Sequence, residues 1–271
     1  MFGEWEKKLH LIGVRQHITR RDAQVNFIYN LISFLIMTTQ SKVYEILTKK
    51  RYNRDEPHLK DKLKERFDYF ISHNKPIKLI GFWGVGPKSK PNWADLASCE
   101  FLAKLNDEVK TVYPPGIEFT FIFATLHGIH NGIIRESIDS YTKAMEKILE
   151  KFKFKFVYLD SLWNKYGISF EKIDAIFGQK EKKWWSRISN HKTIEKNAEN
   201  RNKKLSPKIA AQKYFIMRDL EKEMFEKEFS DSIFHAFSDS KLRNVLPNLP
   251  TLYFYSRRGW SDTPWFITED R

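Results

Sequence analysis

A chain of 271 residues, 41% hydrophobic and 15% aromatic, can bury one large core or two small ones, and disorder is not its default. Its one cysteine, Cys99, excludes an internal disulfide and a cysteine-built zinc cluster and favours a reducing compartment. The formal net charge of +13 fits a nucleic-acid surface, anionic small substrates or dispersed solvated lysines, and by itself does not choose among them.

The opening stretch MFGEWEKKLHLIG holds acidic residues and no long apolar run of the kind a secretion signal needs. The longest apolar run, FIYNLISFLIM at 27–37, is too short for a membrane span and contains Asn30. A soluble, cytoplasmic protein is therefore expected. Residues 21–50 read as one helix, with Val25, Ile28, Leu31, Ile32, Leu35 and Ile36 at helical spacing. A second, charged helix is expected over 58–73, and IKLIGFW at 77–83 reads as a strand.

Residues 93–112 place Trp93, Ala97, Phe101, Leu102, Leu105, Val109 and Val112 on one helical stripe, which YPPG at 113–116 stops. IEFTFIFA at 117–124 alternates as a strand does; TLHGIHNG then reads as a loop and 133–152 as a helix. KFKFKFVYLD at 151–160 is expected to be a third strand with Phe152, Phe154 and Phe156 inward. From about 161 to 245 the chain reads as helical and strongly charged, and TLYFYS (251–256) and WFITE (265–269) as closing strands.

Strand, loop, helix repeated twice implies a βαβ crossover and an α/β fold with a mostly parallel sheet flanked by helices. The expected organisation is a single α/β domain over 1–271. It has an N-terminal helical segment to about 74, a core of about 75–160 plus 250–269, and a basic helical elaboration over about 161–249. Loops leaving parallel strands share one edge of the sheet, where open α/β folds bind ligands. Lys88 and Ser89 are thereby expected to approach His127 and His130.

GFWGVGPKSKPNW at 81–93 nearly forms a nucleotide-binding P-loop, since Gly81 and Gly86 have its separation. Pro87, wedged before Lys88, supplies no N–H where the phosphate nest needs one, so a nucleotide site is not expected. Lys88 and Ser89 still stand before a helix N-terminus, a favourable place for an anion, against the plainer reading of a turn with an exposed lysine. His127 and His130 read as a proton-transfer pair or as structural loop residues; with Glu136 the nearest later carboxylate, a metal site has little support and none is expected.

Arg257 and Arg258 offer planar forks for carboxylate or phosphate, or form a basic hairpin tip in which Asp262 pairs with one of them. Residues 180–208 mix Lys and Arg with Trp184 and Trp185, but Glu181, Glu195 and Glu199 interrupt the run; a solvated helical face is preferred to a nucleic-acid surface. The dinucleotide pattern G-x-G-x-x-G and the hydrolase elbow G-x-S-x-G are both absent, so no organic cofactor is expected.

Three stretches together resemble the pyoverdine/dityrosine biosynthesis family, which includes the isocyanide (isonitrile) synthases. They are PKSKPN (87–92) with the following helix and YPPG turn, IEFTFIFATLHG, and LPNLPTLYFYS with DTPW (262–265). The ordered set spans about residues 75–135 and 207–268. The chain differs from the family pattern at Leu126-His127-Gly128, where Ser-Asp-Gly is the rule, at Phe266, where His follows Thr-Pro-Trp, and by the extra Lys90.

The resemblance implies a Rossmann-like fold and an enzyme that joins an amino acid's amine to ribulose 5-phosphate in small-molecule biosynthesis. On that footing Lys88, Ser89, Arg257 and Arg258 are expected to bind anionic groups. His127, supported by His130, is expected to move protons, and Trp83, Trp93 and Trp265 to wall an apolar substrate portion. A nucleic-acid-binding protein using 180–208 and a non-catalytic relative of the family stay open as alternatives.

Overall fold

The computed structural model describes residues 20–49, 52–53, 55–86, 89–185, 191–202, 204–236 and 247–254. Lys88, Arg257, Arg258, Trp265, Phe266 and the strand expected at 265–269 lie outside the described residues. The chain divides into two compact units, residues 1–38 and 39–271. Helix α1 (Arg20–Thr48) carries exposed Val25, Phe27, Ile28, Tyr29 and Leu31 in its first half, while Val43, Ile46 and Leu47 near its end are buried. Among the described residues no helix is long and apolar enough to cross a membrane.

The larger unit is built on a sheet of strands β1 (Ile77–Trp83), β2 (Ile117–Phe123), β3 (Lys155–Tyr158), β4 (Ile233–Ala236) and β5 (Thr251–Tyr253). Their order is β3-β2-β1-β4-β5 and every pairing is parallel, with Ile77 opposite Ile117 and Trp83 opposite Phe123. Covered on both faces, β1 and β2 need apolar residues at nearly every position, which is why IKLIGFW and IEFTFIF are near-continuous hydrophobic runs. The fold is α/β and Rossmann-like, as expected.

The helices are α2 (Lys60–Ser72), α3 (Trp93–Lys110), α4 (Thr125–His130), α5 (Arg135–Lys151), α6 (Leu159–Tyr166), α7 (Phe170–Trp185), α8 (His191–Arg201) and α9 (Pro207–Glu228). On one face of the sheet Ile80, Ile122, Phe234 and Tyr253 pack with Trp163 of α6, Ile173 of α7 and Met217 and Phe225 of α9. On the other, Trp83, Phe119 and Phe121 meet each other, Phe154 and His235, and α3 and α5 cover them.

Three elements differ from the sequence reading. TLHGIHNG is not a loop: its first six residues form α4, closed by Gly132 at φ +87. Gly128 permits this, because a Cβ there would stand 3.0 Å from Ile138 Cδ1 of α5. The third strand is shorter than expected, because α5 runs on to Lys151 and Lys153 turns left-handed at φ +58 before β3 begins. Finally, β4 arises inside the stretch read as a helical elaboration and inserts beside β1. Gly81 makes room for it: a Cβ there would lie 2.5 Å from His235 Cε1. The glycine that mimicked a P-loop is thus a sheet-packing residue.

With β2 and β3 on one side of β1 and β4 and β5 on the other, strand order reverses at the β1–β4 seam. In open α/β sheets the crevice at the carboxyl ends of such a pair receives ligands.

Candidate functional site

The loop after β1 leaves this edge and ends in α3. Asn92 Oδ1 accepts from the N–H groups of Ala94 (3.0 Å) and Asp95 (3.4 Å), and Asp95 Oδ2 accepts from the Asn92 N–H at 2.8 Å. This reciprocal capping box fixes the loop's exit. Ser89 and Lys90 are exposed, and a Cβ on Gly86 would meet nothing within 4 Å, so the described part of the loop borders open space.

Asp95 is also the end of a buried relay. Tyr141 of α5 donates to Asp95 Oδ1 at 2.7 Å and accepts from Trp83 Nε1 at 2.9 Å. Burial, then the Asp95 charge, pushes the Tyr141 phenol well up, and burial likewise raises the Cys99 thiol beside Asp95. Trp83, expected to wall a substrate pocket, is 0% exposed and spends its one donor on this relay, so it packs the interior instead. Trp93 is 52% exposed at the start of α3.

On the opposite face, α4 places His127 at the end of β2. Its Nε2 lies 2.8 Å and 3.1 Å from the two carboxylate oxygens of Glu221 on α9. Glu221 is 0% exposed and is held from two more directions, by Arg218 at 2.7 Å and by Trp163 Nε1 at 3.0 Å. Burial alone would raise the Glu221 carboxyl, but the adjacent His127 and Arg218 charges and the hydrogen bonds outweigh it and keep the group below the ordinary carboxylate range. An ionised carboxylate fixes the imidazole proton on Nε2, which leaves a lone pair on Nδ1 when the ring is neutral. Nδ1 makes no hydrogen bond among the described residues.

Phe82 joins the end of β1 to this cluster. Its ring lies 4.9 Å from that of His127, and the Arg218 guanidinium sits 4.4 Å over its centre. The ends of β1 and β2 therefore converge, as the parallel arrangement requires. His130, by contrast, donates from Nε2 to the Ala210 carbonyl at 3.1 Å, and burial lowers it to about 4. It remains neutral and ties α4 to α9. Asn202, just past α8, donates to the His130 carbonyl at 2.6 Å and holds α4 from a second segment.

A further cluster closes the β2–β3 end. Asp160, just past β3, accepts from Thr125 and Arg135, and these bonds hold it low against the upward push of burial. Among the described residues no group of three or more His, Cys, Asp and Glu is placed to hold a metal ion.

Sequence reading missed Glu221, Arg218 and Trp163. One signal was present: Glu221 occupies the apolar stripe of α9 between Met217 and Met224, four residues before and three after, with Arg218 a turn away. A carboxylate at such a position demands partners.

No protein-family model matches the sequence, and no curated protein matches it. The fold is similar to that of the PvcA protein from Pseudomonas aeruginosa, with a TM-score of 0.60 and 16% identity over 84% of this chain and 87% of that one. At that identity the likeness is one of fold. A fainter likeness links the chain to the tyrosyl-tRNA synthetase of Archaeoglobus fulgidus, with a TM-score of 0.46 and 12% identity over 78% of this chain and 63% of that one.

Proposed function

We propose that this chain is a small-molecule biosynthetic enzyme of the isocyanide synthase kind, acting in the cytoplasm, in which His127 moves the protons of an amine–carbonyl condensation. The observation that carries this reading is the His127–Glu221 pair: a buried carboxylate anchors Nε2 at 2.8 Å and leaves Nδ1 as the ring's working atom. The family pattern has an acid where His127 stands. Here Glu221 of α9 restores a carboxylate beside that position.

The substrates of this reading are an amino acid and ribulose 5-phosphate. An amino acid arrives as an ammonium ion and must lose a proton before it attacks a ketone. Nδ1 of His127 takes that proton. The nitrogen lone pair then forms the C–N bond as the carbonyl π electrons move to oxygen, which recovers a proton from the imidazolium; the imidazole next carries one proton from the nitrogen to that hydroxyl, and loss of water leaves the protonated imine. Lys88 and Ser89, in the loop after β1, are assigned to the sugar phosphate and Arg257 or Arg258 to the remaining anionic group. Trp93 and Trp265 are assigned to an apolar side chain on the amino acid.

The test is incubation of the purified chain with ribulose 5-phosphate and each aromatic amino acid, followed by mass spectrometry of the products. Product is expected, and His127→Gln is expected to slow it by about 10²–10⁴-fold, the usual worth of a positioned acid–base. Unchanged turnover in His127→Gln would remove His127 from the chemistry, and no consumption of either substrate would remove the enzymatic reading in favour of a non-catalytic relative.

A further inference from the structure

At the amino edge of the sheet, away from His127, lies an open cleft of about 580 Å³, most of whose lining side chains also face solvent. One wall is a stripe of α2, Lys62, Glu65, Arg66 and Tyr69, at the i, i+3, i+4, i+7 spacing of a single helical face. The other face of α2, Leu63, Phe67 and Phe70, is in the core, so this stripe is fixed in place toward the cavity. Opposite it stand Glu226 at the end of α9 and Asp231 on the approach to β4, above Leu249 and Pro250 on the approach to β5.

The charges divide into those paired within the protein and those that face solvent. Asp231 is neutralised by Lys78 at 2.5 Å and lies below its ordinary range, because the Lys78 bond and charge outweigh the upward push of burial. Lys62, Glu65 and Arg66 have no ion-pair partner among the described residues, and Glu226 has only the Asn248 N–H, at 3.2 Å. Two cations a helical turn apart thus share one cavity with carboxylates that have no cation of their own. An anion alone would meet Glu65 and Glu226, and a cation alone would meet Lys62 and Arg66. A molecule bearing both charges satisfies both sets.

We infer that this cavity binds a small zwitterion, its anionic group on Lys62 and Arg66 and its cationic group on Glu226 and Glu65. The site is separate from the carboxyl edge and does not depend on the reaction assigned there. Because Asp231 and Asn248 lead directly into β4 and β5, occupancy braces the strands that complete the sheet beside β1.

The experiment is calorimetric titration of the full chain with L-leucine, 4-aminobutyrate and glycylglycine, zwitterions of different charge separation, beside butyrate and butylamine as single-charge controls. At least one zwitterion is expected to bind tenfold or more tightly than both controls. Arg66→Ala and Glu226→Gln are each expected to weaken it tenfold or more, and His127→Gln to leave it unchanged. Both altered positions lie at the cavity rim, and circular dichroism of each variant checks that the fold is kept. Absence of binding by all three zwitterions, equal binding by a control, or loss of binding in His127→Gln with Arg66→Ala unaffected would overturn the inference.

Discussion

Each face of the sheet buries a carboxylate near the carboxyl ends of β1 and β2, and the two are held in opposite ways. Asp95 accepts from a phenol and from the Asn92 backbone N–H, and the relay that reaches it ends in a tryptophan donor. Every group there is engaged with another fixed group. Glu221 is held by Arg218, Trp163 and His127, and the imidazole turns a second nitrogen away from the cluster. Depth of burial is the same for the two acids, 0% exposed. What separates an architectural network from a reactive one is a titratable partner with an atom still unspent.

That contrast sets the expected effects. Glu221→Ala removes a carboxylate from beside the buried Arg218 guanidinium and should cost about 3–5 kcal/mol in denaturant unfolding. Tyr141→Phe removes the hydrogen bonds to Trp83 and Asp95 and should cost about 1–3 kcal/mol, while leaving the turnover assigned to His127 unchanged. A Tyr141→Phe protein that loses activity but not stability would reverse the assignment of the two faces.

Acid should act on both faces at once. Burial lowers His130, on the α9 side, to about 4 and His235, on the α3 side, to about 3, so both are neutral when folded. The unfolded chain takes up these protons below about pH 6.5 and the folded chain does not, so stability falls as pH falls. The two together should cost about 3 kcal/mol by pH 5.5, with a slope near 1.4 kcal/mol per unit for each histidine at its steepest. His130→Gln and His235→Phe should each remove about half of that slope, read from urea midpoints across pH. Smallest is Asn92→Ala, about 1 kcal/mol for a lost helix cap, with a looser loop after β1 as its sharper consequence.

The parts of this fold written in local pattern were legible. β1, β2 and the stripe of α3 are contiguous apolar signals, and a strand–helix–strand succession has one sensible handedness and one ligand edge. β4 was not legible, because a four-residue strand carrying His235 has no periodicity to read; only the missing Cβ of Gly81 accommodates it. His127 could be picked out by residue type, but its partner could not, since Glu221 lies 94 positions away and reads as one charge among many in a charged region. Trp83 was misjudged because an aromatic residue at a strand end looks the same in sequence whether it meets a ligand or a tyrosine.

The seam between β1 and β4 also bears on how the protein is made. Lys78 and Asp231, which pair across it, are 153 positions apart. As the chain emerges from the ribosome, β1, β2 and β3 can associate early, whereas the second edge of β1 stays bare until β4, far along the chain, has been synthesised. Parallel pairing over such a separation is slow, and an apolar, unpaired strand edge invites the wrong partner in the meantime. The central strand of the finished sheet is thus the outermost strand of the growing one, and the yield of folded protein should depend on how well that edge is shielded during synthesis.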